Sequence, residues 1–367
     1  MKIICSQKKL SEAISTVQKA ISPRSTLPVL EGIYIESLKD VIKLIGTDLD
    51  LGIECYIEAE VLSKGSIVVP SRIFGDIIRK FPDSDVKITL LDNFRVKIEC
   101  QNSVITLQGL NPEEYPELQR IEENNPIEIE QDLFRDMVRQ TVFSVATEET
   151  RPIYTGALME LDGSSVSLAC LDGYRLALRR EPIEGNQNRN KVVIPGKSLN
   201  EISKIMGGEE RKVSITIGEK HVLFDLGYTR IISRLLEGDF INYRQIIPQE
   251  YQTRVKIDTS ILSESIERAS LLAKEGSNNL IKLSISEDKM TITSNSELGQ
   301  AYEEVPLILE GKEIDIAFNA RYFLDILKAI DDQEVCLDFT TNISPCVVRP
   351  LEGNHYTYLL LPVRTNN

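Results

Sequence analysis

Hydrophobic and polar positions change their period sharply within residues 69–81, V-P-S-R-I-F-G-D-I-I-R-K-F. The apolar run ending at Val69 reads as a strand, and Pro70 and Ser71 stop it and open a helix. Phe74, Ile77, Ile78 and Phe81 then recur every 3.6 residues as one apolar stripe, with Arg72, Asp76 and Arg79 on the opposite face. The pattern returns at residues 194–206 and again at 318–330. Its first basic position is Arg72, Lys197 and Arg321 in turn, its acid Asp76, Glu201 and Asp325, and its second basic position Arg79, Lys204 and Lys328. The separations are 125 and 124 residues, about a third of the 367-residue chain, so one unit is used three times.

The surrounding pattern predicts β-α-β-β-β twice over in each unit. In the first, a strand at 2–5 precedes a helix at 8–21 with Leu10, Ala13, Ile14, Val17 and Ile21 on its apolar side. Alternating stretches at 32–38, 41–46 and 51–61 read as strands, as do 86–91, 95–100 and 103–108 after the second helix. The second unit opens with a strand at 127–130 and a helix at 131–145. Its later helix stops at Gly207-Gly208, and strands at 212–217, 221–226 and 229–235 follow. The third opens with a strand at 254–257 and a helix at 259–273, and ends in strands at 334–339, 346–349 and 356–361. Linkers near 124–126 and 248–250 divide the chain into domains 1–123, 126–248 and 252–367. The fold class is α+β, with two helices on antiparallel sheets in each domain.

Composition changes this picture little: 42% hydrophobic and 27% charged residues are those of an ordinary globular chain. No apolar run approaches the roughly 20 residues of a membrane span, and residues 1–10 lack a signal-peptide pattern, so a cytoplasmic location is expected. Six scattered cysteines, with no C-x-x-C pair, read as buried reduced thiols. With two histidines in all, neither a zinc site nor a histidine-based triad is expected.

Charge changes the picture more. The net charge of −14 argues by itself against a nucleic-acid partner. Yet the six helical segments with their flanks carry fifteen basic and nine acidic residues, a net of +6, and the remainder therefore carries −20. Basic helices set in acidic sheets, repeated in register, suit a polyanion with its own repeat, held through phosphate without choice of sequence.

Catalytic patterns are missing. G-x-S-x-G, H-E-x-x-H and a G-x-G-x-x-G after a strand do not occur, and Gly196-Lys197-Ser198 lacks the earlier glycine of a phosphate loop, since position 191 is Lys191. No cofactor or metal is called for. Three readings stay open on these residues: a DNA-holding protein without catalysis, a strand-rich enzyme using Asp172 and Arg175, and a repeat scaffold that binds only proteins.

Four stretches carry a resemblance: Arg24-Ser25-Thr26-Leu27-Pro28, residues 171–177 (L-D-G-Y-R-L-A), Glu237-Gly238-Asp239-Phe240 through Tyr243-Arg244, and Leu361-Pro362-Val363-Arg364. With the three repeats, the whole chain resembles the beta subunit of bacterial DNA polymerase III, the replication sliding clamps. The resemblance implies a head-to-tail homodimer whose two chains close a ring, helices inside and sheets outside. The ring encircles duplex DNA and tethers the replicative polymerase and repair polymerases, and an ATP-driven clamp loader places it. It implies a DNA-facing set of Lys9, Arg24, Arg72, Arg79, Lys80, Lys197, Lys204, Arg321 and Lys328. It implies a pocket for short motifs of partner proteins made by Tyr154, Leu171, Gly173, Tyr174, Arg175, Leu176, Ile241, Gln245, Ile246, Leu359, Leu361, Pro362, Val363 and Arg364. Tyr174 stands where histidine is frequent, Ile241 where proline is, Gln245 where a basic residue is, and Leu361 where methionine is, which implies a different peptide preference. Dimer closure falls to Ile105 and Leu107 on an edge strand and to Leu271 and Leu272 at a helix end.

Overall fold

The computed structural model describes residues 1–122, 125–148, 150–183, 189–207, 212–275 and 279–364. Glu123, Asn124, Gly208 and residues 365–367, on which parts of the linker, helix-stop and domain-end expectations fall, lie outside them. By contacts the chain forms two compact units, Met1–Phe134 with Glu201–Leu235, and Arg135–Asn200 with Leu236–Asn367.

Among the described residues there are six α-helices: α1 (Gln7–Val17), α2 (Ser71–Lys80), α3 (Gln131–Arg139), α4 (Gly196–Ser203), α5 (Thr259–Ala273) and α6 (Ala320–Leu327). In α2 the stripe is real: Phe74 and Ile78 are fully buried, while Arg72, Asp76, Arg79 and Lys80 are exposed. Asp258 caps α5 by accepting from the Ile261 N–H (2.8 Å), and Asn319 caps α6 by accepting from Arg321 and Tyr322.

Among the described residues all strand pairs are antiparallel. The first unit holds a five-stranded sheet in the order Glu60–Ser63, Lys2–Ser6, Asp85–Leu90, Arg95–Cys100, Ser103–Gln108. It also holds an eight-stranded sheet in which Thr229–Arg234 is laddered to Leu51–Glu58, from Thr229 opposite Cys55 to Ser233 opposite Leu51. The second unit holds a nine-stranded sheet, in which Arg175–Pro182 is laddered to Tyr356–Leu360, and a four-stranded sheet that ends on Gly299–Pro306. Sheets thus run on from one repeat into the next through main-chain hydrogen bonds.

Three expectations need correction. The strand over 51–61 is two strands. Leu51–Glu58 belongs to the eight-stranded sheet and Glu60–Ser63 pairs with Lys2–Ser6, the chain changing sheets at Ala59, whose N–H donates to the Asp40 carbonyl. The helix over 131–145 stops at Arg139, because the Thr141 hydroxyl donates to the Met137 carbonyl (2.7 Å) and its backbone leaves helical geometry, leaving a short 3-10 turn at Val142–Ser144. The helix over 8–21 is α-helical only to Val17 and finishes as a 3-10 turn. All six cysteines are buried free thiols, and burial pushes Cys55 up to about 11.

Candidate nucleic-acid and peptide interfaces

The basic residues of the helix pattern are where periodicity put them, on exposed faces, yet their pairing is not uniform. In α2 the Arg79 guanidinium donates to Asp76 (3.0 Å), and in the second repeat Lys204 donates to Glu201 (2.7 Å). In α6 the corresponding acid, Asp325, turns the other way and receives Arg175. Lys328 pairs instead with Glu267 of α5 (3.1 Å). Lys9 donates to Glu58 (2.6 Å), and Arg24, Arg72, Lys80, Lys197 and Arg321 are exposed. Exposed pairs of this kind are worth about 0–1 kcal/mol each, so a phosphate can exchange for the carboxylate.

Of the residues expected to form a peptide pocket, Tyr154, Leu171, Tyr174, Arg175, Leu176, Leu359 and Leu361 lie around the ladder between Arg175–Pro182 and Tyr356–Leu360. Leu171 lies opposite Leu176 and Leu176 opposite Leu359, and the three are buried in one cluster with Tyr243, Ile247 and Val347. Tyr154 and Phe240 pack against that cluster, edge to face, with ring centroids 5.5 Å apart. Tyr174, Ile241, Ile246 and Leu361 are exposed, as are Gly173 and Gln245. The Leu361 N–H donates to the Tyr174 carbonyl (2.9 Å) and the Val363 N–H to the Ala317 carbonyl (2.8 Å), which fixes the tail through Pro362 toward Arg364.

Arg175 holds the loop. Its guanidinium, 8% exposed, donates to Asp172 Oδ2 (3.0 Å), Asp325 Oδ2 (2.5 Å) and the Phe143 carbonyl (2.8 Å). It lies over the rings of Tyr322 (4.5 Å) and Phe143 (5.3 Å). Asp172 meanwhile accepts with Oδ1 from the Tyr174 and Arg175 N–H groups, so the loop is tied at both ends and Gly173 takes φ 92°. Tyr174 stacks on Tyr322 of α6 (5.8 Å).

Sequence reasoning missed the support beneath. Glu160, 5% exposed at its side chain, accepts from the Tyr243 hydroxyl (2.6 Å) and from Arg244 (2.6 Å), and pairs with Lys191 (2.7 Å). Burial works to raise its carboxyl, but Lys191, Tyr243 and Arg244 outweigh burial and hold it below the ordinary carboxylate range. Burial and Glu160 together push the Tyr243 hydroxyl up. Tyr243-Arg244 was visible as a motif, but its acid lies 83 residues away and leaves no local trace.

Three family models for the DNA polymerase III beta subunit match in series: the N-terminal domain over residues 1–119, the central domain over 128–242 and the C-terminal domain over 244–364. The chain belongs to the DNA polymerase III beta subunit family. It is 38% identical to the beta sliding clamp of Bacillus subtilis over 377 residues, covering all of both chains. It is 38% identical to that of Staphylococcus aureus over 357 residues, 95% of each. The crystal structure of the B. subtilis DNA polymerase sliding clamp superimposes with a TM-score of 0.97 at 37% identity over 100% of both chains. A beta-subunit structure from Eubacterium rectale does so with 0.96 at 34%. The three-domain fold is that of this family, and the function is the family's: a non-catalytic processivity clamp for DNA polymerase III that encircles DNA and tethers partners. Among the described residues no helix is long and apolar enough to cross a membrane.

Proposed function

We propose that two copies of this chain, each of domains 1–123, 126–248 and 252–367 with two helices apiece, close head to tail into a ring around duplex DNA. A rule of strand pairing supports this reading. Leu51–Glu58, the third strand after α1, is laddered to Thr229–Arg234, which follows α4 and ends the second repeat. Arg175–Pro182, the third strand after α3, is laddered to Tyr356–Leu360, which ends the third. One strand of each kind remains. Gly299–Pro306 is third after α5, Ser103–Gln108 ends the first repeat, and both are sheet edges. Exposed edges invite pairing, and two copies joined by the same rule use both edges twice. Ile105 and Leu107 lie on the Ser103–Gln108 edge, and Leu272 lies 3.9 Å from where a side chain on Gly299 would begin. Leu271 beside it is 64% exposed.

Within the ring Lys9, Arg24, Arg72, Arg79, Lys80, Lys197, Lys204, Arg321 and Lys328 face the phosphates, without sequence preference. The pocket from Tyr154 to Arg364 takes short motifs of the replicative polymerase, an ATP-driven clamp loader and repair polymerases in the cytoplasm. Its buried leucine floor and exposed Tyr174, Ile241, Ile246 and Leu361 suit the apolar anchors of an extended peptide.

Retention on DNA tests the reading. Labelled protein is loaded onto a nicked circular plasmid with a clamp loader, isolated, and the DNA then linearised. Persistence on circles in high salt and loss from linear ends is expected. Equal stripping by salt from circles and linear DNA, the mark of electrostatic binding, would overturn it.

A further inference from the structure

The loop at residues 47–52 repeats the main-chain construction of the pocket loop at 171–176. Asp48 Oδ1 accepts from the Asp50 N–H (3.2 Å) and the Leu51 N–H (2.8 Å), as Asp172 does from Tyr174 and Arg175. Leu49 takes φ 80° where Gly173 takes 92°. Gly52 lies opposite Ile232 where Leu176 lies opposite Leu359. The Arg234 N–H donates to the Asp50 carbonyl (2.8 Å) where the Leu361 N–H donates to the Tyr174 carbonyl (2.9 Å). Pro116 follows Glu114-Tyr115 as Ile241 follows Asp239-Phe240. The matching space is open: a cavity of about 370 Å³ lies among Thr47, Leu49, Pro116, Leu118, Ile232 and Arg234.

Backbone strain marks the same place. A leucine at positive φ costs roughly 1–3 kcal/mol; the Thr47 hydroxyl, which accepts from the Leu49 N–H (3.0 Å), and the Asp48 carboxylate hold it there, with its side chain 56% exposed on the cavity lining. The larger neighbouring cavity, about 700 Å³ on the other side of residues 116–119, offers less. Its Lys43, Tyr56 and Arg230 already pair with Glu36, Glu54 and Asp225.

We infer that this cavity is a second peptide site at the junction of the first and second repeats, for an extended segment with an apolar anchor beside an acidic residue. Leu49, Pro116, Leu118 and Ile232 are its apolar walls. The acid follows from Arg234 standing in place of Leu361, beside further exchanges of Thr47 for Leu171, Asp50 for Tyr174 and Leu51 for Arg175. Lys220 and His221 line the same cavity, and His221 lies opposite Arg234 on the neighbouring strand. Asp50 and Glu117 line the cavity as well, but Asp50 is 3.9 Å from Arg234 with both side chains largely in water, where such a pair is worth about 0–1 kcal/mol and yields to a peptide carboxylate. The preference therefore differs from that of the pocket beside Leu361, whose matching position is apolar. This inference rests on reading that pocket as a peptide site.

Fluorescence anisotropy with two labelled peptides, Gly-Leu-Leu-Asp-Asp-Gly and Gly-Asp-Asp-Leu-Leu-Gly, and lysine counterparts of both, tests it on the full-length protein. The Leu361→Arg variant blocks the pocket already described. One acidic peptide is expected to bind that variant at one site per chain, and its lysine counterpart about tenfold more weakly. Leu49→Gly, which relieves strain and so keeps the fold, removes one apolar wall. It is expected to weaken binding about tenfold, as is the charge reversal Arg234→Glu. No binding of either acidic peptide to Leu361→Arg protein overturns the inference. So does binding untouched by both Leu49→Gly and Arg234→Glu, or equal binding of the lysine counterpart. If Leu361→Arg removes no binding capacity while Leu49→Gly and Arg234→Glu do, the pocket beside Leu361 fails and the second site stands.

Discussion

Arg175 carries more structure than its place in a peptide pocket suggests. Three acceptors and two rings occupy its guanidinium, so it positions the loop at 172–175. Removing one partner of a buried ion pair typically costs about 3–5 kcal/mol, and Arg175→Ala is expected to lose stability of that order in denaturant unfolding. Arg175→Lys should recover only part, since an ammonium cannot reproduce the planar fork. Glu160 gives the pocket a pH limit. Its folded carboxyl lies below the unfolded value of about 4.3, so its contribution is complete above that pH and is lost as pH falls through the folded value. Glu160→Gln is expected to flatten the acid limb of a stability–pH curve while lowering the plateau at neutral pH. Neither residue was fully legible beforehand. Arg175 stood in a recognisable motif, but Asp325, Phe143 and Tyr322 reach it from 150, 32 and 147 residues away. Periodicity speaks for neighbours along one element and is silent on such partners.

At the scale of elements, a helix was readable where its apolar pattern and its cap agree. Both bounds of α5, Thr259–Ala273, follow from its pattern and the Asp258 cap. What escaped were features decided by competition. The change of sheet at Ala59 interrupts an unbroken alternation, and the Thr141 hydroxyl ends a helix whose apolar spacing continues. The edge strands carry the prediction that belongs here. Ile105→Ala with Leu272→Ala is expected to yield monomers in sedimentation equilibrium at concentrations where the wild-type chain is dimeric, with each chain still folded. A stable dimer would remove the assignment of Ser103–Gln108 and α5 to ring closure.

For the whole molecule, charge sorting was legible from counting: in a chain of net charge −14 the six helical segments with their flanks count to +6, although α5 within its own bounds, with Glu264, Glu267 and Arg268, is acidic. Arg72→Glu with Lys197→Glu changes four charges per chain. It is expected to reduce DNA affinity most at low salt and to flatten the dependence of binding on salt; filter binding across a salt series reads both. Unchanged binding at low salt would separate these helices from the phosphates. The pairing of strands across repeats has another consequence, for the chain when it is cut. A protease nick within 119–122 would sever the peptide link between the first and second repeats. The five-residue ladder from Leu51 to Cys55 against Thr229 to Ser233 would still clasp the fragments. A nicked clamp should therefore migrate as two bands in denaturing gels yet elute as one intact particle.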